Sequence, residues 1–308
     1  MLKIRNTLYL LLAAASSLAA CGTEVATFDA EAHKQEVLQW RAGRLERLMA
    51  PTGYLTLAGL YWLSPGDHSF GSSPDNDVVF PSKAAAALGV FSVTSDGIQM
   101  QVSPDSGVLV NEQPASIADL AADVSGEPDV VRFDTLEWMA IQREDKFAIR
   151  LRDTAHPARE NFGELPYYDI DPAYRVVATL QRYAEPRIAK VGTVVEGLGY
   201  NPESPGVVQF ELDGVMHELE AYASGDYLFF VFGDLTNRDA TYGAGRFLYS
   251  AVPGDDGKTV LDFNKAYSPP CAFNDFATCP VASPRNRLKV EVLAGERFDE
   301  SLHYDSTH

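Results

Sequence analysis

Short blocks of apolar and aromatic residues, separated by turn residues, run along most of this chain. The blocks at 90–94 and 98–102 flank Ser95-Asp96-Gly97, and Asp213-Gly214 separates two further blocks. Alternation with period two places side chains on opposite faces of a strand, and a short Gly-containing segment between two such blocks favours a hairpin. The pattern therefore predicts a mainly β fold of two sandwich-like or barrel-like domains.

The predicted strands cover most of the chain after residue 53. We expect them at 54–63, 90–94, 98–102, 136–143, 147–151, 175–180, 191–196, 207–212, 216–222, 227–232, 246–251, 260–263 and 288–293. The segment 153–172 contains four prolines and few periodic apolar positions. It predicts a linker or an irregular crossing between the two domains.

A different period precedes the strands. Apolar residues recur near helical spacing between 24 and 49, with charged residues between them, and Pro51 follows. This pattern predicts a helix that ends before Pro51. A chain of 308 residues is close to the length at which one hydrophobic core divides. We therefore expect a lipidated N-terminus and helix within 21–50, β domains at 51–153 and 154–298, and a tail at 299–308.

The first twenty residues resemble a secretory signal. Lys3 and Arg5 precede a short apolar run, which ends in Leu18-Ala19-Ala20-Cys21. The run is too short to span a bilayer as a helix, and small residues precede the cysteine. The tetrapeptide resembles the lipobox of bacterial lipoproteins, which implies a signal peptide at 1–20 and lipidation of Cys21. The alternative is an ordinary secreted protein with an unrelated cysteine.

Net charge limits the partners. The chain has a formal net charge of -18. Such a protein repels nucleic acid and anionic headgroups, so nucleic acid is not an expected partner. Membrane attachment is expected through the acyl chains of Cys21 alone. Because Gly22 follows the cysteine in place of an aspartate, we expect the outer membrane, with the protein facing the periplasm.

Two cysteines remain, Cys271 and Cys279. In an exported protein a nearby pair is usually oxidised, so the sequence predicts a disulfide. Two free thiols are the first alternative. A metal or catalytic role is the second, although no His or third Cys lies near them. The sequence predicts neither a metal site nor a cofactor.

The second half of the chain carries several distinctive motifs. They are Phe162-Gly163, Phe232-Gly233-Asp234-Leu235-Thr236, Thr241-Tyr242-Gly243-Ala244-Gly245-Arg246-Phe247-Leu248, Asp262-Phe263-Asn264-Lys265-Ala266-Tyr267, Pro269-Pro270-Cys271-Ala272-Phe273 and Asn286-Arg287-Leu288. With them, residues 161–296 resemble domain-of-unknown-function family 1684 of bacteria and archaea. The resemblance implies kinship and no particular chemistry.

A weaker resemblance concerns the first predicted domain. Residues 70–81 and 108–111 resemble the recognition loops of forkhead-associated domains. However, Ser72 stands where that family has an arginine. Without the arginine a phosphate lacks its main donor, which argues against phosphothreonine binding.

Polar and planar residues are dense between 234 and 287. The candidate ligand-binding residues are Arg238, Tyr242, Arg246, Asp262, Asn264, Tyr267, Asn274 and Asn286. The functional hypothesis is a pocket in which Arg246, helped by Arg238, holds an anionic group. Asp262 would then position Arg246, because arginine grips carboxylate or phosphate through paired hydrogen bonds. The alternative is an internal polar network with an Arg246–Asp262 ion pair.

The sequence contains no complete catalytic motif. His217-Glu218 begins a zinc-protease pattern, but Ala221 stands where the second histidine is required. We therefore expect a cell-envelope lipoprotein that binds a small anionic or sugar-like ligand. The alternatives are a hydrolase that uses Asp262 or Cys271, and a structural envelope protein.

Overall fold

The computed structural model describes residues 28–304 of the chain. The predicted signal segment and Cys21 lie outside the described residues, as does the end of the predicted tail. Within 28–304 one long helix precedes a series of mainly antiparallel sheets. The prediction of a mainly β fold with an N-terminal helix is confirmed.

Helix α1 spans Ala30–Met49. Asp29 caps it, because its carboxylate accepts hydrogen bonds from the backbone N–H groups of Glu31 and Ala32, both at 3.0 Å. The helix ends shortly before Pro51, as expected. Its buried residues are His33, Val37, Arg44 and Leu48. Their spacing places them on one face, and two of the four are polar, which is unusual for a face packed against a core.

Two sheets form the first β unit. Its strands are β1 (Leu57–Leu63), β2 (Gly66–Gly71), β3 (Val78–Val79), β4 (Gly89–Thr94), β5 (Gly97–Val102), β6 (Leu109–Val110), β7 (Gln113–Pro114), β8 (Ile117–Leu120), β9 (Val131–Phe133), β10 (Leu136–Arg143) and β11 (Lys146–Asp153). The strand orders are β1-β11-β10-β9-β6-β7 and β3-β2-β4-β5-β8. Phe70 and Phe91 of one sheet share a buried core with Trp138 and Ile149 of the other. This unit is therefore a β-sandwich.

The second β unit is a nearly closed barrel. A short helix α2 (Pro157–Glu160) precedes it, and its strands are β12 (Arg175–Ile188), β13 (Val191–Gly192), β14 (Gly199–Tyr200), β15 (Glu203–Leu212), β16 (Val215–Ser224), β17 (Tyr227–Phe232), β18 (Arg246–Ala251) and β19 (Lys258–Asp262). The main sheet has the order β18-β17-β16-β15-β12-β19. Its two edge strands approach each other, which leaves little open edge.

Strand β17 explains how the barrel connects to the rest of the molecule. Leu228, Phe230 and Phe232 point into the barrel core. Phe229 and Val231 alternate with them and pack outside it, in a cluster that includes Leu57 of β1. The strand is buried on both faces because Leu57 and residues of the loop 271–282 cover this part of the barrel's outer surface, and this accounts for its continuously apolar sequence.

Several predicted strands differ from the observed ones. The segment 54–56 is a 3-10 turn that precedes β1, and 191–196 contributes only the two residues of β13. The prediction of a strand at 288–293 is wrong. There the carbonyl of Val292 accepts from Arg246, and its N–H donates to Asp234. Side chains thus take the hydrogen bonds of Val292, whereas Leu288 and Val290 bond to the backbone of Gly233 and Leu235.

Within residues 28–304, no helix is long and apolar enough to cross a membrane.

Candidate functional site

A cleft lies where helix α1, strand β11 of the sandwich and strand β18 of the barrel meet. Its larger part has a volume of about 440 Å³, within the range of small-molecule sites. Its lining residues are Trp40, Arg44, Arg47, Thr52, Gly53, Tyr54, Arg152, Phe247, Tyr249, Tyr267 and Pro270.

A smaller pocket of about 180 Å³ adjoins it. Tyr54, Phe247 and Pro270 line both spaces. The other residues of the smaller pocket are Arg143, Arg150, Ala277, Thr278, Cys279 and Pro280. We call the two spaces together the arginine cleft.

Charge distinguishes the arginine cleft from the rest of this acidic protein. Five arginines line it, whereas none of the described residues in its lining is an aspartate or glutamate. The whole chain nevertheless carries 43 acidic and 25 basic side chains. A concave surface with a single sign of charge concentrates ions of the opposite sign, so this cleft attracts anions.

The alternation of β11 directs two arginines into the cleft. Arg150 and Arg152 are two residues apart, so they share the face of β11 that points away from the sandwich core. The Nη1 of Arg152 donates to the carbonyls of Thr52 and Gly53, each at 2.7 Å. These neutral acceptors fix the guanidinium without neutralising its charge. Glu137, opposite it on β10, is already bound to Arg132.

Arg150 has neither a hydrogen bond nor an ion pair with any other residue of 28–304, and its Nε is buried without a partner. Burial lowers the pKa of Arg150, and the neighbouring positive charges of Arg143 and Arg152 lower it further. A guanidinium titrates so high that it still stays charged at neutral pH. Tyr54 and Asp123 raise the pKa in part, but Asp123 is ion-paired with Arg143 and not with Arg150. Arg150 is therefore a poorly solvated cation without an ion-pair partner among residues 28–304, and an anion beside it would be stabilised.

The helix contributes two arginines of different character. Arg44 is buried, donates to Glu296 at 3.4 Å and to the carbonyl of Ser268 at 2.9 Å, and lies over the ring of Tyr267. It is a structural part of the wall. Arg47 is exposed and has no hydrogen bond or ion pair within the described chain. Its guanidinium is free to reach a ligand.

Aromatic side chains form the remaining wall. The rings of Trp40 and Tyr267 lie 6.0 Å apart, and those of Tyr267 and Phe247 lie 5.8 Å apart. Burial raises the pKa of the Tyr267 phenol strongly, so it stays neutral. Flat apolar faces beside guanidinium groups suit a ring that carries an acidic substituent.

Of the eight residues predicted to bind a ligand, Tyr267 lines the cleft and the others lie elsewhere. Arg246 has no solvent exposure. Its Nη2 donates to Asp234 at 2.8 Å and to the carbonyl of Val292 at 2.9 Å, and its Nη1 donates to the carbonyl of Ala294. The expected pairing of Arg246 with Asp262 is therefore wrong, because Asp234 is its partner.

The glycines before Arg246 also have an internal explanation. Gly245 has a φ of 109°, and a Cβ there would lie 2.5 Å from the carbonyl oxygen of Phe232. The hypothesis that these glycines admit a ligand is thus replaced by close packing against β17.

Asp262 binds helix α1. Its Oδ2 lies 2.9 Å from Nε2 of His33, and both side chains are buried. Asn264 donates to the other carboxylate oxygen and also joins the backbone of Asp171. These contacts hold the start of α1 and the preceding crossing against the end of the barrel.

The remaining candidates connect loops. Asn286 exchanges two hydrogen bonds with the backbone of Glu220. Asn274 donates to the carbonyl of Tyr54 at 3.1 Å, and the Tyr242 hydroxyl donates to that of Cys271 at 2.8 Å. Asn274 and Tyr242 thus support the segments that carry cleft residues. Arg238 is exposed on the adjoining loop.

The two predicted disulfide partners are neighbours. Both are free and buried in this structure, and the N–H of Cys271 donates to Sγ of Cys279 at 3.3 Å. Hydrogen bonds from Cys279 and Tyr242 lower the pKa of Cys271. Their oxidation to a disulfide stays a prediction.

Sequence reasoning missed the arginines of the cleft. Arg150 and Arg152 alternate with Ile149 and Leu151 on a strand that was predicted at 147–151 and that extends to Asp153, so Arg152 lay outside the predicted bounds. The available signal was a strand with a charged face. Its meaning depends on whether the helix and the second β unit cover this face or leave it in solvent, and the sequence alone does not show which.

Among residues 28–304, no group of three or more His, Cys, Asp or Glu side chains is arranged to hold a metal ion.

Comparison with known proteins identifies part of the chain. Residues 160–297 match the family described as "Protein of unknown function (DUF1684)". This segment belongs to DUF1684. It contains the whole barrel and the loops that carry Tyr267 and Pro270. The arginines of α1 and β11 lie outside it.

A solved structure is also similar to the chain. It is the solution NMR structure of an uncharacterized protein from Haloarcula marismortui, with 33% identity and a TM-score of 0.39. The similarity covers 46% of this chain and 80% of that chain. No curated protein matches this chain. The forkhead-associated resemblance of the sandwich stays a prediction.

Proposed function

We propose that this protein binds a small anionic ligand in the arginine cleft, and that the ligand has a sugar-like or other ring. One observation carries the proposal: Arg47, Arg150 and Arg152 converge on a concave space without any acidic side chain in its lining. A buried guanidinium without a carboxylate partner, such as that of Arg150, is costly unless an anion joins it. The aromatic wall supplies the apolar surface against which a ring would pack.

The proposal includes an envelope location. The lipobox-like Leu18-Ala19-Ala20-Cys21 supports attachment through lipidated Cys21, at the outer membrane and facing the periplasm. In this place a binding protein would meet small solutes of the periplasm.

We do not extend the proposal to hydrolysis. Asp262 is buried and bound by His33 and Asn264, and Cys271 is buried beside Cys279. Neither group faces the arginine cleft, where the unpaired charge lies. A purely structural role gives no account of that unpaired charge.

The test uses titration calorimetry with glucuronate, inorganic phosphate and neutral glucose as probes. Glucuronate should bind, whereas glucose should not. Arg47→Gln should weaken glucuronate binding roughly tenfold, because a charged hydrogen bond contributes about 1.5 kcal/mol or more. Its melting temperature should stay unchanged, since Arg47 has no partner in the described chain.

Arg182→Gln is the matched control, because Arg182 is exposed on β12 and remote from the cleft. It should bind as the wild type does. Absence of binding for both anionic probes, or equal binding by wild type and Arg47→Gln, would refute the proposed site.

A further inference from the structure

The arginine cleft has two separate cationic ends. Arg47 and Arg152 line the larger space, and Arg150 lines the smaller one. Tyr54, Phe247 and Pro270 line both spaces, so the two spaces are direct neighbours. A single small anion at one end leaves the other end unoccupied.

The smaller end also contains a cationic group without a hydrogen-bond partner. Arg150 has a buried Nε without a partner, while the nearby Arg143 is already bound to Asp123 at 2.7 Å. The other lining groups of this pocket, such as Thr278 and Pro280, are uncharged. A volume of about 180 Å³ admits a carboxylate or phosphate with a few further atoms.

We infer that the ligand of the arginine cleft carries two anionic groups, one bound by Arg47 and Arg152 and the other by Arg150. This inference rests on the proposed function and deepens it. Two residues along a strand separate the two arginines of β11 by roughly 6–7 Å. This is the separation of their Cα atoms, and it sets the scale for the distance between the ligand's two anionic groups, as in a medium-length dicarboxylate or a compact sugar bisphosphate.

Arg150 would then determine specificity for two charges over one. Each guanidinium can form paired hydrogen bonds to one carboxylate or phosphate. The rigid β-strand fixes the spacing before the ligand arrives, so a matching dianion needs little rearrangement to bind both ends. A monoanion would gain the interactions at one end only.

The experiment compares dianions with monoanions on the same scaffold. Calorimetry would use dicarboxylates from succinate to suberate with the monocarboxylate of each length, and glucose 1,6-bisphosphate with glucose 6-phosphate. We expect at least tenfold tighter binding of the best dianion than of its monoanion. The dicarboxylate and bisphosphate arms distinguish the two kinds of anionic group.

Arg150→Gln should lower the affinity for the dianion to about that for the monoanion, so that the preference for the dianion is lost. Arg150→Lys should retain part of it, because lysine keeps the charge but cannot form the paired hydrogen bonds. Arg182→Gln is again the control, and circular dichroism checks that each variant folds. The melting temperature of Arg150→Gln without ligand should not fall.

Equal binding of dianions and monoanions by the wild type would overturn this inference and leave the proposed function standing. So would an equal loss of both in Arg150→Gln. If neither dianions nor monoanions bind, the proposed function itself fails.

Discussion

The buried ion pair between Arg246 and Asp234 gives the sharpest test of how the polar residues of the barrel act. Both side chains are completely buried. Besides Arg246, the carboxylate of Asp234 accepts from the backbone N–H of Thr236 at 2.9 Å and from that of Val292 at 3.3 Å. We predict that Arg246→Ala destabilises the protein by about 3–5 kcal/mol, because it leaves a buried carboxylate without its counter-charge.

Arg246→Ala should lose more stability than the loss of one contact would cause, because Arg246 also binds two carbonyl groups. The carbonyls of Val292 and Ala294 lose a charged donor when the guanidinium is removed. Val292 belongs to the segment predicted as a strand, and Ala294 follows directly after that segment. At about 2–4 °C per kcal/mol for a protein of this class, the melting temperature should fall by roughly 10 °C.

Urea unfolding of Arg246→Ala, Asp234→Ala and the double variant would measure the effect. The double variant should lose less stability than the sum of the two single variants, since the second substitution removes the stranded partner. Arg238→Ala is the control: this exposed arginine lies in the same loop and should change stability by less than about 0.5 kcal/mol. A loss below about 1 kcal/mol in Arg246→Ala, or strict additivity, would refute the reasoning.

Three further predictions concern other parts of the chain. Burial raises the pKa of Glu296, so the contribution of Glu296 to stability is present below the usual pKa of a glutamate and is lost as the pH rises toward neutrality. The melting temperature of the wild type relative to that of Glu296→Gln should therefore fall between pH 4 and 7. A constant difference would contradict this. Peptide mapping without reductant should find Cys271 linked to Cys279, with a stabilisation of roughly 2.6 kcal/mol from the closed loop; two alkylatable thiols in periplasmic protein would disprove the bond. Cys21→Ala should abolish partitioning into detergent, and a variant that still fractionates with membranes would rule out the lipid anchor.

The local pattern of the sequence determined the elements. The hairpin of β4 and β5 and that of β10 and β11 follow from apolar blocks separated by turn residues, and both are confirmed. Helix α1 follows from helical periodicity and ends before Pro51. These features depend on residues close together in the chain, so one sequence suffices to predict them.

Tertiary structure alone decided which polar residues meet. His33 pairs with Asp262 across 229 positions, and Arg44 pairs with Glu296 across 252. The spacing of residues within 234–287 could show that polar groups are dense there, but it could not show that most of them face inward and satisfy loop backbone. The same spacing suggested a pair of Arg246 with Asp262, whereas in the fold Arg246 pairs with Asp234.

The arginine cleft is the clearest case of this limit. Its lining residues come from α1, the turn at 52–54, β10, β11, β18 and the loop 267–280, and no local motif joins them. On an isolated strand, Arg150 and Arg152 would face water and carry no special meaning. Their significance arises because packing of the sandwich against the barrel removes water from that face without supplying an acid, and only the folded chain determines that arrangement.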